Sequence, residues 1–191
     1  MSSMSSIRLN VVISSIFNEF VEYRGVVIDA IWRCDMYPLA MERLDFAMPI
    51  SKIESSLNMI DNAALYVGIF SQRYGEITFK EYERAVERGI PVLAFISDDT
   101  LNEGDVELDH EKQVSMAELK STLRRKYVVA TFSSLEEFQK KAFASLINWK
   151  IVYLQEYPLE IIPENKRRLI TSEIPRPNVP YYHHQYSLGF R

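Results

Sequence analysis

Three strand-sized apolar runs constrain this chain more than any other feature: Arg8 to Ser15 (RLNVVISS), Ala64 to Phe70 (ALYVGIF) and Pro91 to Ser97 (PVLAFIS). Each is nearly continuous rather than alternating, which marks a strand buried on both faces. Strands of that kind need covering layers on both sides. The segments between them supply the cover, because their apolar residues recur at helical spacing. Phe17, Phe20, Val21, Val27, Ile28, Ile31 and Trp32 mark a first helix from Phe17 to about Cys34. Tyr37 to Met41 resembles a second strand, with Glu42 at its end. Pro49 is placed in the first turn of a second helix whose face carries Ile53, Leu57 and Ile60. A third helix is predicted from about Thr78 to Arg88, stopped by Gly89.

The remainder continues the alternation. A helix from about Ser115 to Arg125, a strand from Tyr127 to Phe132 and a long helix from about Leu135 to Gln155 complete the unit. Strands alternating with helices imply a parallel sheet with right-handed crossovers. The expected fold is α/β, a flavodoxin-like three-layer sandwich whose five-stranded parallel sheet has the order 2-1-3-4-5. It would occupy residues 1–157. Asp98 to Glu111 is acidic and aperiodic and reads as a mobile loop. Residues 158–191 change character, with prolines at 158, 163, 175, 177 and 180 and the run Tyr181-Tyr182-His183-His184. They read as an extended tail rather than a second domain.

Charge and composition exclude several classes. A net charge of -4 gives no general electrostatic reason to bind nucleic acid or an anionic membrane. The apolar runs fall well short of the ~20 residues of a membrane span. Met1 to Ser6 lacks the basic-then-apolar layout of a signal peptide. A single cysteine, Cys34, excludes an intrachain disulfide and fits a reducing cytoplasm, where its thiol reads as packing rather than nucleophile. The expectation is a soluble cytoplasmic protein.

In a parallel α/β sheet the ends of the first three strands share the carboxyl edge, where such folds bind ligands. Ser14 and Ser15, Glu42, and Arg73-Tyr74-Gly75 all fall there, followed by Thr78-Phe79-Lys80-Glu81. Two readings stand at each position. Thr78-x-x-Glu81 fits a capping box, and it equally fits a carboxylate aimed into the cleft after strand three. Glu42 can hold a ribose hydroxyl or pair with a neighbouring base such as Arg43. Ser15 can line a phosphate site with Ser14 or cap the first helix. Arg73 offers a guanidinium fork for phosphate and Tyr74 a ring for stacking, or the two form a solvated turn at Gly75. Arg24 is placed for a buried salt bridge or a phosphate contact. No glycine-rich dinucleotide fingerprint, P-loop or nucleophile elbow is present, and the histidines join no zinc-spaced set. Lys166-Arg167-Arg168 is too short a basic run to argue for nucleic acid.

Four blocks in order, VVISSIFNEFVEYR, AIWRCDMYPLAMERL, DNAALYVGIFSQRYG and TFKEYERAVERGIPVLAFI, resemble the family called domain of unknown function 4062 over about residues 8–97. The chain departs from the family pattern at Ile16, at Tyr23 and at Phe79, where the pattern has a threonine and two acids. The family is similar to Toll/interleukin-receptor (TIR) domains and nucleoside deoxyribosyltransferases, which share the flavodoxin-like sheet. In both, a glutamate on the helix after the third strand carries N-glycosidic chemistry, and Glu81 sits in the corresponding place.

The resemblance implies an N-glycosidic hydrolase or transferase acting on NAD or a related nucleotide, with a role in bacterial antiphage defence or signalling. No separate cofactor is required. Glu81 would be catalytic, and Ser14, Ser15, Arg24, Glu42, Arg73, Tyr74 and Thr78 would bind ligand. Self-association or a separate partner protein would complete the site. The alternative is a non-catalytic nucleotide-sensing or assembly module. A third reading is a structural partner with a vestigial cleft.

Overall fold

The computed structural model describes residues 8–43, 49–98 and 109–156. Most of the acidic loop after Asp98, the tail 158–191 and the leader Met1 to Ser6 lie outside the described residues. Five strands form one sheet: β1 (Asn10–Ser15), β2 (Tyr37–Leu39), β3 (Leu65–Phe70), β4 (Val92–Ser97) and β5 (Ala130–Phe132). Their order is β2-β1-β3-β4-β5, and every neighbouring pair is parallel. This is the flavodoxin-like order expected from the sequence.

The helices are α1 (Val21–Arg33), α2 (Lys52–Asp61), α3 (Glu76–Glu87), α4 (His110–Lys126) and α5 (Leu135–Glu156). The chain steps outward from β1 to β2, then doubles back past β1 to β3. Right-handed crossovers in those opposite directions place α1 on one face and α2 through α4 on the other. Helix α5 follows the last strand and returns to the α1 face. The core divides accordingly. Val11, Ile13, Val67, Ile69 and Phe132 pack with Val27 and Ile31 of α1 and with Phe138, Ala142 and Leu146 of α5. Val12, Tyr66, Phe70 and Ile96 pack with Ile60, Tyr82, Ala85, Met116 and Leu123 on the opposite side. Alternate strand residues supply alternate faces, and all of β3 is buried.

Element ends differ from the sequence reading for local reasons. Strand β2 stops at Leu39, and Met41–Arg43 forms a 3-10 turn that carries Glu42. Pro49 lies outside α2, because Ser51 caps that helix by accepting from the Glu54 N–H at 3.1 Å. Helix α4 starts at His110, five residues before the expected Ser115, because the Asp109 carboxylate caps the Glu111 and Lys112 N–H groups. Helix α3 starts at Glu76 with Gly75 at its N-cap, and it ends as expected, with Gly89 in the left-handed region at φ 63°.

Candidate functional site

The sheet changes direction between β1 and β3, and in open α/β sheets the crevice beyond the strands at that switch point is where ligands bind. The last two residues of β1 are serines, so their side chains point to opposite faces. Ser14 turns toward α3 and donates its hydroxyl proton to Oε2 of Glu81. Ser15 turns toward α1 and accepts from Nη1 of Arg24 at 2.9 Å. Arg24 also donates from Nε and Nη2 to the two oxygens of Glu42, at 2.7 and 2.6 Å. The site therefore has two halves joined through the end of one strand.

Glu81 stands in the second turn of α3 and Thr78 in the first, and neither side chain caps the helix. The capping-box reading of Thr78-x-x-Glu81 is thereby corrected: the chain already turns into the helix at Gly75, three residues earlier. Similarly, Ser15 does not cap the first helix, whose start has no side-chain cap. Glu81 is 7% exposed, and burial raises its carboxyl above the usual range. The hydroxyls of Ser14 and Ser56, together with the Arg24 charge, pull it back, while Glu42 pushes it further up. Ser56 has one proton to give, and the Ile53 carbonyl at 3.1 Å competes for it. Ser14 is thus the firmer donor. A carboxyl so placed keeps its proton to higher pH than an exposed glutamate and, once ionised, can offset positive charge developing beside it.

Two members of this half are not evident from sequence. Ser56 lies on the buried face of α2 with Ile60, in a helix where the spacing pointed only to Ile53, Leu57 and Ile60. Tyr66 lies within the apolar run of β3, wholly buried, with its hydroxyl close to Ser14 and in the field of Glu81. A polar atom at an inward position of either element is the only signal the sequence carries.

Arg73, Tyr74 and Thr78 line a separate shallow cleft with Ile16, Phe79 and Met116, whose enclosed volume is about 10 Å³. That is room for about one water molecule, so the cleft as it stands encloses neither a ring nor a dinucleotide. Tyr74 already packs against the Phe79 ring, with centroids 5.7 Å apart. Ser14, Ser15, Glu42 and Glu81 do not line this cleft. Thr78, buried beside it one turn before Glu81, is the link between the two. Glu42 and Glu81 therefore do not join Arg73 in this cleft.

Cys34 is buried at the end of α1, where burial raises its thiol, consistent with packing. Among the described residues no three His, Cys, Asp or Glu side chains gather as a metal set, and no helix is long and apolar enough to cross a membrane.

The family described as domain of unknown function (DUF4062) matches residues 10–147. None of the curated proteins matches the chain. Among solved structures, the TIR domains of the activated Roq1 resistosome directly recognizing the pathogen effector XopQ are similar at 14% identity. That likeness covers 73% of this chain and 84% of the other, with a TM-score of 0.44.

Proposed function

The chain belongs to the DUF4062 family, and from that premise we propose that it is an N-glycosidic hydrolase or transferase acting on NAD or a related nucleotide. One observation carries the reading. A carboxyl buried at the switch point of the sheet is held by a serine hydroxyl and raised in proton affinity by its surroundings. In the reaction the bond between the ribose anomeric carbon and the base nitrogen breaks, and the base leaves with the bonding electrons. The sugar passes through an oxocarbenium-like state. Glu81 as carboxylate offsets that charge, or takes the glycosyl group before water or another acceptor does. In this reading Ser14 and Ser15 line the pocket, Glu42 meets ribose hydroxyls, Arg24 and Arg73 meet phosphate and Tyr74 stacks on a ring. A role in bacterial antiphage defence or signalling, with self-association or a partner protein completing the site, belongs to the same proposal.

The test is NAD consumption by the purified protein over a concentration series, beside Glu81→Gln, which keeps shape and removes charge. Nicotinamide release that rises with self-association and is abolished by Glu81→Gln supports the proposal. No loss of NAD or of other nucleotides at any concentration, with or without added partner protein, overturns it.

A second reading, a nucleotide-sensing or assembly module without turnover, is favoured by the closed Arg24–Glu42 pair. Both Glu42 oxygens are engaged by Arg24, so neither greets a ribose until the pair opens. Saturable binding of ADP-ribose with no product would favour it.

A further inference from the structure

We propose that Tyr66 is a positioning residue for Glu81: its hydroxyl holds the Ser14 hydroxyl turned toward the carboxylate. Its bearing on turnover rests on the role proposed above for Glu81, but the positioning itself does not.

The backbone register brings the groups together. Val12 stands opposite Tyr66 and Ser14 opposite Gly68 in the β1–β3 pairing, so Tyr66, Gly68 and Ser14 share the face that α3 covers. Gly68 leaves a gap on that face. A Cβ there would lie 2.8 Å from Cε1 of Tyr66 and 2.5 Å from Cε2 of Phe70, distances no methyl group tolerates. The Tyr66 ring therefore leans over Gly68, toward the carboxyl edge where Ser14 and Glu81 meet. There its hydroxyl faces Ser14 without the alignment of a formed hydrogen bond, and it has no other partner among the described residues.

A wholly buried hydroxyl left unpaired in this way calls for an explanation. Donor counting supplies one. Ser14 has a single proton, and that proton is on the bond to Glu81. Its oxygen still has lone pairs to offer, and Tyr66 has one proton and no acceptor. Burial keeps the phenol protonated, so it has a proton to give, and with the Ser14 proton already committed to Glu81 the phenol is the donor of this pair. The direction of the relay follows: Tyr66 O–H to Ser14 Oγ, and Ser14 O–H to Glu81 Oε2. While Tyr66 donates to Ser14, the serine proton cannot turn toward the phenol and stays on the carboxylate. Chains of this kind strengthen each member, and loose alignments in an unliganded site tighten when it closes.

The test reads the Glu81 carboxyl itself, by carbon-13 NMR titration of the full chain without substrate, with Glu81→Gln used to assign its resonance. The groups facing Glu81 are Ser14 and Tyr66 from the sheet, Ser56 from α2, Arg24 from α1 and Glu42 from the turn after β2. Tyr66→Phe keeps the ring and removes the hydroxyl. Its expected effect is an upward move of the Glu81 midpoint of about half a unit, as the carboxylate loses a reinforced donor. Ser14→Ala should move the midpoint further, and adding Tyr66→Phe to Ser14→Ala should move it no more. A Tyr66→Phe protein that is more heat-stable while its Glu81 midpoint stays in place overturns the proposal, since it would mark the hydroxyl as an unpaired group with no task. So would a full Tyr66→Phe shift in the Ser14→Ala background. A wild-type protein that consumes no nucleotide yet shows the coupled shift sinks the proposed function and leaves the positioning intact. Turnover abolished by Glu81→Gln with no Tyr66→Phe shift does the reverse.

Discussion

Arg24 and Glu42 meet through two parallel hydrogen bonds of 2.7 and 2.6 Å, and this fork-to-carboxylate contact ties α1 to the turn that follows β2. The third arm of Arg24 reaches Ser15 at the end of β1, and its guanidinium lies 5.7 Å from the Phe17 ring centroid. One buried cation thus secures three segments of the carboxyl edge.

Glu42→Gln should be costly, because it leaves the Arg24 charge buried opposite a neutral amide whose N–H₂ faces other donors. Arg24 is 4% exposed and Glu42 22%, so the expected loss is about 3 kcal/mol, the lower end for a broken buried pair. Urea unfolding at neutral pH measures it. A loss below about 1 kcal/mol would show the pair to be no stronger than a surface contact.

Glu81 should make the fold more stable in acid. Its folded-state carboxyl is raised, so its contribution is fully present below the ordinary glutamate value of ~4.3 and fades as pH rises through the folded value. Glu81→Gln has no such dependence. The variant should therefore melt higher than wild type at pH 7, by ~2–4 °C for each kcal/mol gained, with the gap closing as pH falls below ~4. Paired thermal melts across that range check the sign. An equal gap at both ends would place the effect in packing rather than in the charge.

Asp61 behaves in the opposite sense. It ends α2, where the helix dipole disfavours an acid, and it accepts paired hydrogen bonds from Arg84 of α3 and from Arg88 at that helix's C-cap, at 2.8 to 3.1 Å. The Arg84 contact leads in holding its carboxyl below the usual aspartate range. The stability it confers is present above that usual value and lost as pH falls through the folded one. Asp61→Asn should cost roughly 1 kcal/mol at pH 7, since all three groups are partly solvated, and progressively less in acid. Denaturant midpoints at pH 7 and pH 3 test it, and a constant difference would rule out the charge as the cause.

Gly68→Ala should destabilise by about 1–3 kcal/mol, the range for overpacking a filled core. The added methyl would press on the Tyr66 and Phe70 rings, both essentially buried. Melting temperature and near-ultraviolet circular dichroism report the cost and the displaced rings. An unchanged melt would mean that the rings can retreat freely.

The sheet was legible because β1, β3 and β4 are buried on both faces, which leaves a continuous apolar run no surface element would show. Glu81 was legible as a candidate through the family's motif, but its environment was not. Thr-x-x-Glu reads identically whether the helix starts at the threonine or three residues earlier, and here the turn at Gly75 decides. Tyr66 looks like one more aromatic in an apolar strand until a neighbouring strand sets Ser14 beside it. The inner face of α2 was legible only in part for the same reason, with Leu57 and Ile60 meeting the core as their spacing marked. It presents Ser55 and Ser56 along with Ile60, since part of what it covers is the polar group around Glu81 rather than hydrocarbon. Local pattern reports which side is apolar, and it has no access to where a distant acid will be buried.

The paired serines at the end of β1 make the length of that strand a wiring constraint. Insertion of one residue within Asn10–Ser15 would reverse the facing of every residue after it. It would turn Ser14 away from Glu81 and Ser15 away from Arg24 in a single step. Both acids would lose their connections together, while the apolar content of the strand hardly changed. Variation in spacing is therefore expected in the connections of this fold and excluded from its first six-residue strand.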